Sequence, residues 1–104
     1  MNLLLGFISG MFLTNGVPHF VSGIMGKSHM TPFGKDSSAI TNIIWGYINF
    51  LVGFWVLNVS GGSLAQLRTF DNFAISFWVG SFIIALSSGW LFSNPNASLP
   101  WFKK

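Results

Sequence analysis

Long apolar runs alternate with short polar stretches along this chain, and the alternation predicts three helices. A helix that crosses a bilayer needs about 20 mainly apolar residues, and windows over 3–25, 39–59 and 70–92 meet that length. The separators "GKSHMTPFGKDSS" (26–38) and "SGGSLAQLRT" are rich in turn formers and hold most of the charge. Asp36, Ser37 or Ser38 is positioned to cap the second helix, and Asp71 falls in the first turn of the third. The expected fold is therefore all-α and membrane-integral, with one domain over 1–104 and an interfacial tail over 93–104.

Within each span the polar positions repeat at helical spacing. On the second, Asn42, Gly46, Asn49 and Gly53 share one face; on the first, Asn15, His19, Ser22 and Gly26 do the same. Ser76, Gly80 and Ser87 follow along the third. Helices in lipid associate through small residues and cross-helix hydrogen bonds, with little hydrophobic drive. The three stripes are accordingly expected to face one another, with Asn15 level with Asn49 and His19 within a turn of Asn42. Gly6 and Gly10 form a Gly-x-x-x-Gly pair that would admit a close neighbour to the first span. Ser81, Ala85 and Ser88 make a second small face on the third helix, expected to point outward to a partner. Trp45 and Trp78 read as packing residues, and Trp55, Trp90 and Trp101 as anchors near the membrane boundaries.

Pro18 removes a backbone donor and crowds the carbonyl of Thr14, which predicts a kink in the first helix. His19 is the one histidine inside a span, and an ionisable residue there is a functional candidate by default. Its neutral imidazole suits a hydrogen bond to Asn42 or Asn49, a proton relay, or ligation of haem or a metal. His29 lies about three turns further on, so both histidines could meet at one iron only through a folded-back loop or a neighbouring copy.

Composition agrees with lipid as the solvent. Of 104 residues, 51% are hydrophobic and 7% charged, where soluble domains carry roughly a quarter of their residues as charges. There is no cysteine and no glutamate, and the only acids are Asp36 and Asp71. Disulfides, thiolate metal sites, covalent haem attachment and paired-carboxylate catalysis within the chain are excluded, and an enzyme is not expected. Five basic residues scattered over separate segments give no nucleic-acid footprint. Lys27, Lys35, Lys103 and Lys104 fall on one side of a three-span chain and Arg68 on the other. The positive-inside rule then places the first loop and the C-terminus in the cytoplasm and the N-terminus outside. The first segment begins without a basic n-region or an evident cleavage site and reads as a retained helix.

The segments "NGVPHFVSGIMGK", "TPFG" and "NIIWGYINFLVG" resemble a family of short uncharacterised bacterial inner-membrane proteins with an N-G-x-P-H-F element, a Pro-Phe loop and an N-x-x-W-G helix. The likeness covers Asn15 to Gly53 and implies a bacterial envelope location, with no activity attached. The leading expectation is a small structural or accessory subunit, its partners being the lipid bilayer and other membrane subunits or copies of itself. The alternatives are a haem- or other cofactor-binding redox protein using His19, lined by Trp45 or Phe20, and a small oligomeric channel or transporter lined by Asn15, His19, Asn42 and Asn49.

Overall fold

A computed structural model describes residues 2–94. It contains α1 (Leu3–Ile24), α2 (Ala39–Val59), a 3-10 turn at Ala65–Arg68, and α3 (Asn72–Ser93), with no strand among the described residues. All three helices are long and apolar enough to cross a membrane. At about 1.5 Å per residue they rise about 31–33 Å, close to the roughly 30 Å of a bilayer's hydrocarbon core. Trp101, Lys103 and Lys104 of the expected tail lie outside the described residues.

Side chains close the helix ends. The Asn2 amide oxygen accepts from Leu5 N–H at 3.0 Å, while its backbone N–H donates to the Ser60 carbonyl at 2.9 Å, tying the N-terminus to the second loop. Ser38, of the three candidates, caps α2 by accepting from Thr41 N–H. Asp71 is the cap of α3 and precedes its first turn, accepting from Ala74 N–H at 2.8 Å. The third helix thus starts at Asn72, later than expected, because Phe70 adopts a left-handed conformation (φ 55°) that ends the preceding turn.

Gly26 is not part of a helical stripe. It ends α1 at φ 75°, with Lys27 N–H bonded to the Ser22 carbonyl and Gly26 N–H to that of Gly23. This is a Schellman arrangement, which calls for glycine at that place. Pro18 lies inside α1, and the chain is helical on both sides of it.

The three polar stripes do not converge. α1 packs closely against both other helices, while the backbones of α2 and α3 stay apart among the described residues. α1 therefore works with two faces. Toward α2 it presents Ser9, Gly16 and Gly23, seven residues apart: the Ser9 hydroxyl donates to the Gly53 carbonyl at 2.9 Å, Gly16 lies against Gly46 and Phe50, and Gly23 against Ala39 and Ile43. α2 answers with Asn42, Gly46, Asn49 and Gly53, all buried. Toward α3, α1 presents Gly6 and Gly10, which receive Phe73, Ser76 and Phe77, and Gly80 in return accommodates the backbone of Phe7. Gly6 and Gly10 thus serve an intramolecular crossing.

Two expectations for α3 are corrected. Ser87 is exposed, with its hydroxyl returned to the Ile83 carbonyl at 2.9 Å, so it packs no helix. Of the second small face, Ser81 turns to α1, while Ala85 is exposed. The Ser81 hydroxyl meets that of Thr14 at 2.5 Å, and Ala85 and Ser88 line a groove with Thr14, Val17, Pro18 and Val21. The cause is common to both: the backbones of α2 and α3 stand apart, so α3 turns its buried face to α1 and shares with α2 the apolar cluster around Leu57.

The two ends of the bundle differ in chemistry. At one, Leu57, Leu67, Phe73 and Phe77 form an apolar cluster with Leu13 against it. Trp78, expected in a packed interior, is 46% exposed and donates its indole N–H to the Leu67 carbonyl at 2.8 Å, bracing the second loop. At the other end, the polar residues of α1 and α2 meet the loop 26–38.

Candidate functional site

Asn42 organises that polar end. It is completely buried, and its amide nitrogen donates to the carbonyls of His29 (2.9 Å), Ser37 (3.1 Å) and Ser38 (3.1 Å). Three carbonyls around one nitrogen fix the amide's orientation, so its oxygen is the atom that meets His19 Nδ1 at 2.8 Å. An amide oxygen only accepts. Nδ1 of His19 therefore carries the proton, and in the neutral ring the lone pair resides on Nε2.

The same amide fastens the first loop. With His29 and Ser37 both held by Asn42, the loop folds back over the ends of α1 and α2, and His29 N–H closes it by donating to the Ser37 carbonyl at 3.1 Å. Inside it, Thr31 and Gly34 bridge each other's backbones, and the Thr31 hydroxyl meets that of Ser37 at 2.6 Å. Thr31, Ser37 and Met30 are buried despite lying in a loop.

Folding back brings the two histidines together. Their ring centres lie 6.2 Å apart with planes inclined at 69°, and Phe92 of α3 joins them, stacked on His29 at 3.4 Å and edge-on to His19 at 5.7 Å. Nδ1 of His29 approaches the Met30 carbonyl at 3.2 Å. A carbonyl accepts only, so this ring too is protonated on Nδ1 with its Nε2 lone pair unspent on that contact. Beside His29 is a cavity of about 200 Å³ lined also by Ser28, Met30, Lys35, Asp36 and Phe92.

A second polar contact lies two turns deeper. Asn15 donates from its amide to the Asn49 oxygen at 3.1 Å, and Asn49 donates to the Trp45 carbonyl at 2.8 Å. This pair borders a cavity of about 230 Å³ lined by Met11, Phe12, Trp45 and Ile84, on the flank where α2 and α3 stand apart. Ser22 is half-buried, and the chain reaches it through its carbonyl, which accepts from Lys27 N–H.

Of the residues singled out from sequence, Asn15 is thus joined to Asn49 and His19 to Asn42, as two separate contacts along the α1–α2 seam. Ser9, Gly16, Gly23 and Phe92 belong to the seam and the histidine cluster without having been identified. The seven-residue recurrence of Ser9, Gly16 and Gly23 was the available signal for the first three; Phe92 had none, because its role depends on where the loop folds. No group of three or more His, Cys, Asp or Glu residues able to hold a metal occurs among the described residues. No protein-family model, curated protein or solved structure matches the chain, so the functional reading rests on its own geometry.

Proposed function

We propose that the protein is a three-span integral membrane protein of the bacterial inner membrane that acts as a structural or accessory subunit, associating through its flank between α2 and α3 with a larger membrane complex or with further copies of itself. The observation that carries this reading is the open flank. α2 and α3 both lean on α1 and leave half-buried Asn15, with its buried partner Asn49, bordering a cavity that faces outward between them. Bilayer hydrocarbon offers an amide no hydrogen bonds, whereas a helix seated on that flank covers the pair and can bond to it.

The molecule's 42 Å long axis matches a bilayer with its headgroup regions, about 40–45 Å thick. The N-terminus lies outside and the loop 26–38 in the cytoplasm, as the lysines at 27 and 35 favour. Pro18 bends α1 within the membrane, beside the groove it lines with Ala85 and Ser88.

Native mass spectrometry of protein gently solubilised from its own membranes tests the subunit role. Assemblies heavier than one chain are expected, weakened by Asn15→Leu. A strict monomer in mild detergent that carries no other polypeptide would end the proposal.

A further inference from the structure

α1 and α3 cross closely at Gly10 and remain joined at the Thr14 and Ser81 hydroxyls, then leave a groove between them up to Phe92, which reaches back to the His19 ring. We propose that this groove binds one phospholipid of the loop-side leaflet, its acyl chain lying along Pro18 and Gly89 and its phosphoethanolamine headgroup seated in the cavity beside Lys35 and Asp36. The site rests on the reading that the helices span a bilayer; it does not use the flank assigned to subunit contact.

Length and depth fit a lipid of one leaflet. The groove is almost wholly apolar, holds about 490 Å³, and runs from Thr14 to Val21 on α1 and from Ala85 to Phe92 on α3. Each stretch rises about 10 Å, against about 15 Å for half of a bilayer's hydrocarbon core. Thr14 lies at the middle of α1 (Leu3–Ile24), so the groove covers the loop-side leaflet from near the midplane outward. A helix of a second chain crossing the whole bilayer would need a groove about twice as long.

One polar group inside the groove calls for a ligand. Ser76, Ser87 and Ser93 return their hydroxyls to carbonyls of α3, and Ser81 meets Thr14. Ser88, which lines the groove, has no hydrogen-bond partner among the described residues. Hydrocarbon offers a hydroxyl nothing to bond, whereas the ester carbonyls of a phospholipid lie just inside its headgroup and accept hydrogen bonds. Ser88 is at that level, about 8 Å short of the end of α3 at Ser93.

The headgroup follows from charge. The cavity of about 200 Å³ adjoins the groove at Phe92, which lines both. It carries one cation and one anion, Lys35 and Asp36, and neither side chain is bonded to another described residue. Phosphoethanolamine brings the matching pair, a phosphate for the Lys35 ammonium and a primary ammonium for the Asp36 carboxylate, each a charge-assisted hydrogen bond. The quaternary nitrogen of choline has no N–H to give Asp36, and a net-anionic headgroup sets its charge against that carboxylate.

The test is titration of the full-length protein, stripped of lipid in detergent, with phosphatidylethanolamine, phosphatidylcholine and phosphatidylglycerol of identical acyl chains, read by native mass spectrometry. The wild type is expected to hold one phosphatidylethanolamine per chain at least fivefold more tightly than either other lipid. Gly89→Leu fills the groove without disturbing the helix seam, since nothing lies within 4 Å of an added Cβ, and should weaken that binding at least fivefold. The double variant Lys35→Gln/Asp36→Asn should bind the three lipids alike; circular dichroism checks that both variants remain helical. Equal uptake of the three lipids by the wild type, undiminished binding in Gly89→Leu, or a preference that survives the double variant would each overturn the site. So would a lipid-free wild type whose multimers dissociate in Gly89→Leu, which would give the groove to a second chain. Resistance to alkaline extraction from membranes tests the spans separately, so a protein that passes there and shows no lipid preference refutes this site alone.

Discussion

Replacing Gly10 by alanine probes the α1–α3 crossing at its tightest point. A Cβ there would overlap the Phe77 carbonyl oxygen and sit 3.0 Å from its carbon and 3.1 Å from Ser81 N. All three are backbone atoms, so no rotamer change relieves the clash, and α3 must back away by about an ångström to restore ordinary contact. Overpacking of this kind costs about 1–3 kcal/mol, and the displacement would also part the Thr14 and Ser81 hydroxyls, now 2.5 Å apart. Gly89→Ala is the control, since nothing lies within 4 Å of its added methyl. The assay is unfolding in detergent followed by circular dichroism, paired with disulfide formation in a Thr14→Cys/Ser81→Cys background; the chain has no native cysteine, so the engineered pair reports alone. Gly10→Ala should lower the unfolding midpoint and the crosslink yield together, while Gly89→Ala leaves both near wild type. If Gly10→Ala unfolds like wild type and crosslinks as fully, the close α1–α3 approach is wrong.

Asn42→Ala takes a partner from His19 and from the carbonyls of His29, Ser37 and Ser38; Ser37 keeps the His29 N–H and Ser38 the backbone N–H of residue 42, so the His29 carbonyl and His19 are the groups stranded. Leaving buried polar groups unsatisfied costs about 1–3 kcal/mol each, and hydrogen exchange should accelerate across 27–38; unchanged protection there would refute the organising role of the amide. Gly26→Ala forces a side chain into the left-handed region at φ 75°, which costs about 1–2 kcal/mol, although nothing crowds the site; an unaltered melting midpoint would count against the Schellman ending. The Asp71 carboxyl is held below its ordinary range, first by the Gln66 amide and then by Ala74 N–H. A depressed carboxylate stabilises the fold fully above the ordinary carboxylate range and loses that contribution as pH falls through its own lowered value. Protection from exchange at the first turn of α3, taken relative to the intrinsic rate at each pH, should therefore fall on acidification in wild type, and Asp71→Asn should flatten that dependence.

Much of the fold was legible because lipid-length apolar runs and helical periodicity are local properties. The α2 stripe of Asn42, Gly46, Asn49 and Gly53 is the buried face, since small and amide-bearing residues suit a helix seam in lipid. The same reasoning misplaced Ser87 and Ser81, for it assumed one central axis shared by all three stripes. Which helix occupies the centre is a tertiary property. It follows here from α1 having small residues on two faces, Ser9, Gly16 and Gly23 on one and Gly6 and Gly10 on the other, and only the second set was singled out from sequence.

The histidine cluster was illegible for a different reason. His19 and His29 are ten residues apart, and a straight helix continued through both would hold them far from one another. What reverses the chain is Gly26 at the end of α1, and what returns the loop is an amide on another helix, Asn42, reaching His29 and Ser37 at once. A single buried side chain thus sets the loop's path and the His19 tautomer together. That coupling separates Asn42 from the Asn15–Asn49 pair, which spends its bonds between two helices and one carbonyl of its own helix. Loss of Asn49 should therefore loosen the seam and leave the loop in place, whereas loss of Asn42 should release the loop and scatter the histidines.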